Sequence, residues 1–290
     1  MKTTFNKICI YGVGLIGGSL ARACKKANPA IEIVGTGRDA VKLQHAQDIG
    51  VIDSFATDLS VALKGIDLLV FAVPVGSMEL AFESVKPFLS DTVILTDVGS
   101  TKANVINCAN KVLTGFASNF VPGHPIAGTE KSGADAAFAE LFQQRRVILT
   151  PSESTDVDAV KRVSALWQMC GAEVIEMSAL HHDEILAATS HLPHMLAFSL
   201  VDTLSKMNDK KEIFKYAAGG FRDFTRIASS SPEMWQDICL ANGDALIEVI
   251  NRFQADLSTL SEAIEKGDKE TILAIFSRAK TARDQFCNEQ

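Results

Sequence analysis

The residues of this chain best suited to chemistry are three glycines, a histidine and a pair of arginines. Gly12, Gly14 and Gly17 have the GxGxxG spacing. Gly12 allows a tight turn, Gly14 lets backbone N–H groups approach a pyrophosphate, and Gly17 lets a helix pack close on a strand. The helix opening at about Leu15 and Ile16 then offers free N–H donors and the positive end of its dipole to phosphates. His124 sits between Gly123 and Pro125. It reads either as a general base near neutral pH or as a loop histidine satisfied by backbone. Ser100 reads as the N-cap of a helix beginning near Thr101, or as a hydroxyl that orients His124 or a substrate hydroxyl; the two roles are compatible. Arg222 and Arg226 are four residues apart on one helical face. Either can clamp an anion, or both can be surface ion-pair residues. His191 and His194 lie three apart, after His181 and His182, but no cysteine or carboxylate completes a ligand set, so no metal is expected. His194 then reads as a substrate contact or a supporting polar group. His182 and Asp183 read as residues that shape the cleft, and Trp235 as packing near it.

The cofactor's ribose has its own signature. An NAD-selective domain places Asp or Glu roughly 20 residues past the glycine turn. That count from Gly17 reaches Gly37 in Gly35-Thr36-Gly37-Arg38-Asp39, where the acid is absent. Arg38 can pair with a 2′-phosphate that a carboxylate would repel, and Thr36 can donate a further hydrogen bond. Asp39 suits the N-cap of the next helix better than the ribose. NADP is therefore expected as the preferred cofactor, with NAD the alternative.

These residues need elements to position them. The first ~175 residues alternate strand and helix, the signature of a doubly wound, mostly parallel α/β sheet of Rossmann type. Strands are expected at 7–11, 31–35, 66–73, 92–98, 119–124, 146–151 and 173–176. Helices are expected from Gly12 to about Lys26, over 39–47 and over 156–170. Continuous apolar runs such as Ile66 to Val73 fit strands covered on both faces. Ligands in such sheets bind beyond the carboxyl ends of the strands. Val73 and Pro74, Asp97 to Lys102, and Gly123 to Glu130 are then the loops that line the site, with Ser100 and His124 near the nicotinamide.

From His181 the pattern turns wholly helical. One run extends over 182–207 with Pro193 inside it, which should kink it. Gly219-Gly220 marks a break. Ser231-Pro232 reads as an N-cap with proline at the first position of a helix reaching Lys266, and a last helix runs to about Phe286. The expected domains are 1–178 and 179–290. The apolar faces of the later helices suggest burial against a second copy of the chain.

Composition narrows the class. A net charge of −7 over 290 residues argues against nucleic acid and against a membrane surface. The six cysteines are scattered without a CxxC pair, which fits a reducing compartment. The first strand begins almost at once, leaving no room for a signal peptide, and no helix reads as a membrane span. The expected location is the cytoplasm.

Five segments together resemble one family. Gly12-Val13-Gly14-Leu15-Ile16-Gly17-Gly18-Ser19, Thr96-Asp97-Val98-Gly99-Ser100-Thr101-Lys102 and His124-Pro125-Ile126-Ala127-Gly128-Thr129-Glu130 are similar to motifs of the TyrA-type dehydrogenases. So are Ser190-His191-Leu192-Pro193-His194 and Gly219 to Ala228. These are the prephenate, arogenate and cyclohexadienyl dehydrogenases of tyrosine biosynthesis. The resemblance implies a nucleotide-binding domain followed by an all-α dimerisation domain, and oxidative decarboxylation with NAD(P) as hydride acceptor. It implies that His124 is the base or hydroxyl partner, that Ser100 orients it, and that Arg226 binds the ring carboxylate. Thr129, Glu130, His182, His194 and Trp235 join them as substrate-side candidates. Two other readings compete. A β-hydroxyacid or 6-phosphogluconate-type dehydrogenase should carry a catalytic lysine on a helix after the nucleotide domain, but no lysine occurs between His181 and Lys206. A nucleotide-sensing regulator without chemistry has no need of Ser100, His124 and Arg226 together.

Overall fold

A computed structural model describes residues 5–288. Its contacts divide the chain into two compact units, the first ending at Gly243 and the second starting at Asp244.

The first unit opens with alternating elements: β1 (Lys7–Tyr11), α1 (Leu15–Ala27), β2 (Glu32–Thr36), α2 (Ala40–Asp48), β3 (Ser54–Phe55), α3 (Leu59–Ala62), β4 (Leu68–Phe71), α4 (Met78–Val85), β5 (Ile94–Asp97), α5 (Ala103–Val112) and β6 (Phe120–Val121). The strands form one sheet in the order β3-β2-β1-β4-β5-β6, every pair parallel. Strand order reverses beside β1, which is where such sheets open a crevice for ligands. Side chains alternate across the sheet. Ile8, Ile10, Leu68 and Val70 join a core with α1 and with α6 (Val157–Met169), whereas Cys9, Leu69, Phe71 and Leu95 join another with α4 and α5. Burial of both faces explains the unbroken apolar runs. Each such large side chain contributes about 1.5–3 kcal/mol, so the sheet is a firm base for the loops at its carboxyl end.

The expected strand over 119–124 is a different object. Pro122 divides it: β6 ends the parallel sheet, and β7 (Gly123–Pro125) begins a second sheet with β8 (Arg146–Leu149) and β9 (Glu173–Glu176). β7 runs antiparallel to β8, with His124 opposite Ile148, and β8 runs parallel to β9. Proline has no N–H to extend either ladder, so the chain changes sheets there.

The helical part of the first unit starts with α7 (Ala179–Leu186) and α8 (Leu192–Ser205), joined without a gap by a π-turn at Ala187–His191. Pro193 lies two residues past the end of that turn, so the carbonyl four residues back belongs to Thr189 within it. Its ring collides with the carbonyl four residues back, and a wider turn upstream relieves the collision. α9 (Lys210–Lys215), α10 (Gly219–Thr225) and α11 (Pro232–Ala241) come next. Gly219 and Gly220 begin α10 rather than separating helices, and a tight turn at Arg226–Ser229 follows it. Ser231 caps α11 by accepting from the Met234 N–H, with Pro232 in the first position. The expected single helix to Lys266 is broken at Asn242, whose side chain has another task.

The second unit consists of α12, which starts at Gly243 and ends at Lys266, and α13 (Lys269–Asn288). Gly267 turns the corner at φ +64°, and Asp268 caps α13 through the Thr271 N–H and hydroxyl. Ile247, Leu257, Ile264, Leu273, Phe276 and Phe286 are exposed on the two helices.

Candidate active site

The turn between β1 and α1 is built for close approach. Gly12 adopts φ +103°, and a Cβ there would lie 2.4 Å from the Ala72 carbonyl oxygen. A Cβ on Gly17 would lie 2.3 Å from the Gly12 carbonyl oxygen. Those two glycines let the strand, the turn and the helix touch. Gly14 is different: nothing lies within 4 Å of a Cβ placed on it. No side chain caps α1, so its first N–H groups are available beside that open space. The cradle therefore fits a dinucleotide pyrophosphate, with Leu15 and Ile16 in the first turn, packed partly against the core. Val73 and Pro74 stand at the end of β4 on the neighbouring rim, Val73 half-buried and Pro74 exposed.

The expected roles at the end of β2 divide. Thr36 is fully buried and its hydroxyl donates to the Ala56 carbonyl at 2.7 Å, while its own carbonyl accepts from Gly12 N–H. It locks the turn, and its hydroxyl proton is not available to a cofactor. Asp39 is the N-cap of α2, accepting from Val41 and Lys42 N–H at 3.1 Å each. Those bonds hold its carboxyl below the usual range. Arg38 is exposed and has no ion pair among the described residues.

A second group gathers around His124. Asp97, at the end of β5, is fully buried and accepts from Gly99 N–H at 2.8 Å and from Gly123 N–H at 3.1 Å. The buried Lys102 ammonium donates to Asp97 and to the Gly123 carbonyl. Both backbone groups of Gly123 are thus held, and with them the start of β7. Breaking one partner of such a buried pair costs about 3–5 kcal/mol. Helix α5 begins at Ala103, later than the sequence suggests. Ser100 is not its cap: the Lys102 and Ala103 N–H groups donate to the two oxygens of Asp183, at 2.8 Å each.

The tautomers follow from what can accept. Asp183 accepts from His182 Nδ1–H at 2.8 Å, so His182 Nε2 carries the lone pair. His124 Nδ1 lies 2.9 Å from that nitrogen and must donate, which leaves the lone pair of His124 on Nε2. Ring contact with His182, not with Ser100, fixes the His124 side chain. Burial pushes His124 well below the ordinary histidine range, and the charges of His182, Lys102 and His191 push the same way. Burial also lowers His182, although Asp183 pulls against it. For Asp183, burial works to raise the carboxyl, but the hydrogen bonds from His182, Ala103 and Lys102 hold it low.

A third group adjoins the second. Asn242, at the break between α11 and α12, donates through its side-chain nitrogen to the Asp183 carbonyl at 2.8 Å and to His191 Nδ1 at 3.1 Å. His191 is therefore protonated on Nε2, and burial lowers its pKa to about 4. That N–H and the Trp235 indole N–H are buried without a partner among the described residues. Trp235 stacks on His194, with ring centroids 3.8 Å apart. His194 donates from Nδ1 to the Ser190 carbonyl at 2.8 Å, so its free nitrogen is Nε2. Arg226 lies in the turn after α10 and donates to Glu130 at 3.3 Å. Burial first, and then the Arg226 charge, lowers the His194 pKa. Arg222 is exposed within α10. Thr129 is exposed and accepts from Lys131 N–H at 3.2 Å. Ser100 is half-buried beside Lys102.

The structure thus joins His124 to His182, His194 to Trp235, and Glu130 to Arg226. It adds Asp183 as an acceptor, and Lys102, Asn242 and His191, which sequence reasoning left without a role. Lys102 stood in a quoted motif, but nothing in its neighbours announces that it is buried. Asn242 precedes Gly243, an Asn-Gly pair that signals a helix stop and was passed over, although the pair says nothing of the partners of the amide. Among the described residues no group of three His, Cys, Asp or Glu forms a metal site, and no helix is long and apolar enough to cross a membrane.

Comparison with known proteins matches this arrangement. The family described as prephenate dehydrogenase, nucleotide-binding domain, matches residues 20–176, and prephenate dehydrogenase, dimerization domain, matches residues 178–278. The chain is 40% identical to the cyclohexadienyl dehydrogenase of Zymomonas mobilis, over 97% of this chain and 96% of that one. It is 38% identical to the prephenate dehydrogenase of Bacillus subtilis, over 98% of this chain and 76% of that one. The crystal structure of prephenate dehydrogenase from A. aeolicus, in complex with hydroxyphenyl propionate and NAD+, superposes with a TM-score of 0.92 at 34% identity, covering 99% and 100% of the two chains. With both domains matched in order and two-thirds of each relative spanned, the chain belongs to the prephenate dehydrogenase family.

Proposed function

We propose that this chain oxidatively decarboxylates prephenate, arogenate or both, giving 4-hydroxyphenylpyruvate or tyrosine, with NAD(P) as hydride acceptor. The observation that carries the reading is the free Nε2 lone pair of His124, held by His182 in a chain of this family. The substrate is a cyclohexadiene with a ring hydroxyl opposite a ring carboxylate. The bound nicotinamide supplies the hydride acceptor. His124 takes the hydroxyl proton as the carbinol carbon gives up hydride, and loss of carbon dioxide makes the ring aromatic. A base lowered below the ordinary histidine range is neutral, and so ready, at physiological pH. Ser100 contacts the same hydroxyl. Arg226 holds the ring carboxylate, exchanging its present partner Glu130 for the substrate. His194, Trp235 and Thr129 complete the substrate side, whereas His182, fully buried with both ring nitrogens engaged, supports His124 from behind.

Gly12, Gly14 and Gly17, with Leu15 and Ile16, hold the pyrophosphate, and Val73 and Pro74 border the nicotinamide half. Arg38 is free to pair with a 2′-phosphate, whereas Asp39 is spent on its helix, which supports a preference for NADP. The working domains are 1–178 and 179–290, and the protein acts as a cytoplasmic homodimer joined through its C-terminal helices. Exposed apolar residues on α12 and α13 support that pairing.

The test is nicotinamide reduction by the purified protein with each substrate and each cofactor. Turnover with at least one substrate is expected, and none with any of the four combinations contradicts the reading. Arg38→Ala should lower kcat/KM for NADP by at least ~10-fold and leave NAD almost unchanged. An equal effect on both cofactors would show that another group reads the ribose.

A further inference from the structure

Asp183 lies one residue beyond His182 and takes no part in any contact with His124 itself. It is nonetheless the end of the only chain of hydrogen bonds that fixes the His124 ring among the described residues. Its carboxylate is bound by three donors: His182 Nδ1–H, Lys102 N–H and Ala103 N–H, each at 2.8 Å. The last two belong to the N-terminal end of α5, where the helix dipole also favours an anion. Its main-chain carbonyl accepts from Asn242. The carboxylate is therefore ionised, fixed, and able only to accept.

Resting on the proposed role of His124, we infer that Asp183 is a positioning residue that sets the tautomer of the catalytic base through two imidazole rings. An acceptor at Asp183 requires the proton of His182 on Nδ1. His182 then offers Nε2 to His124, whose proton must sit on Nδ1. Only that arrangement leaves Nε2 of His124 open to the substrate hydroxyl. During turnover the hydroxyl proton passes to Nε2 and later to water, while Asp183 stays deprotonated and stabilises the imidazolium charge across His182. The charges facing His124 have mixed sign. Burial and the charges of His182 on α7, Lys102 at the start of α5 and His191 in the π-turn lower His124, whereas the carboxylates of Asp183 on α7 and Asp97 on β5 act to raise its partner His182.

Asp183→Asn tests this with little change in size. In either orientation the amide NH₂ replaces an oxygen that accepts a helix N–H, so one of those bonds is lost; with the NH₂ toward His182 both rings reverse and a proton sits on His124 Nε2. Nitrogen-15 NMR of histidine-labelled protein reads each ring's tautomer without any need for turnover, so it separates this inference from the proposed reaction. The native protein should show His124 protonated on Nδ1, and the variant on Nε2. The variant's kcat should fall at least ~10²-fold, the scale of losing a general base, while cofactor affinity stays within about 2-fold. The acid limb of its remaining activity should also move to lower pH, because the imidazolium loses a stabilising charge; a merely loosened structure would lower the plateau without that move. His124 protonated on Nε2 in the native protein, or an Asp183→Asn variant with native tautomers and native kcat, would overturn the assignment. If that variant fails to fold, His182→Phe carries the test, since it leaves Asp183 on the helix end. It should mix the His124 tautomers and lower kcat at least ~10-fold, and unchanged tautomer and rate would equally refute the relay.

Discussion

At the scale of single residues, the chemistry turns on which groups are free and which are engaged. His124→Asn should lower kcat by at least ~10²-fold with cofactor affinity nearly intact, because the amide cannot take the hydroxyl proton. A variant with near-native kcat would remove His124 from its role. The pH dependence has a definite sign. As the proposed base, His124 must be unprotonated to work, and burial, reinforced by neighbouring positive charge, lowers its pKa. The acid limb of kcat/KM should therefore fall below ~6.5, the value of a free histidine, and a limb above that would contradict the buried, unprotonated ring. Arg226 and Arg222 should differ sharply. Loss of the Arg226 contact to a substrate carboxylate should cost about 2–4 kcal/mol in kcat/KM, and Arg222→Ala much less; the reverse ranking moves the clamp to Arg222. The glycine turn and the candidacy of His124 could be read from local patterns with a chemical reason, whereas the choice of Arg226 over Arg222 came from the family resemblance alone. Asp183, Lys102 and Asn242 matter through partners far along the chain: Lys102 N–H meets Asp183 across 81 residues, and Asn242 meets Asp183 across 59. No local pattern reports such a pairing.

At the scale of elements, the two glycines that share one turn should fail in different ways. Ala at Gly17 forces a methyl to within 2.3 Å of a backbone oxygen, so α1 must move off β1. That should cost about 1–3 kcal/mol and lower the melting temperature of the free protein. Ala at Gly14 meets nothing among the described residues and should melt close to the native protein, yet bind NAD(P) at least ~10-fold more weakly, since its methyl would stand where the proposed cradle takes the pyrophosphate. Calorimetry with titration of both variants checks this. Equal melting temperatures, or native affinity in Gly14→Ala, would show that the cradle has been misread. The parallel strands were legible from their apolar runs, and β3 was not, being only two residues long. The helix boundary at Ser100 shifted for a physical reason. Capping there comes from Asp183 on another element, so the residue type before the helix carried no information about where it starts.

At the scale of the whole molecule, the chain should be a homodimer. The exposed apolar residues of α12 and α13 would otherwise face water along two long helices. Light scattering at micromolar concentration should give twice the chain mass, and a monomer would refute the pairing. The order of a nucleotide-binding region before a helical one was legible in the sequence, since the alternation of strand and helix stops near residue 177. The break at Asn242 is signalled by the Asn242-Gly243 pair, but only the fold reveals that its amide is needed at Asp183 and His191. Hydride transfer and loss of carbon dioxide are one reaction carried out by this chain. The most direct test supplies prephenate or arogenate labelled in the ring carboxylate and follows labelled carbon dioxide and reduced nicotinamide together. Release of one carbon dioxide for each nicotinamide reduced is the predicted result. Nicotinamide reduction without carbon dioxide release, or neither with either substrate, would contradict the account.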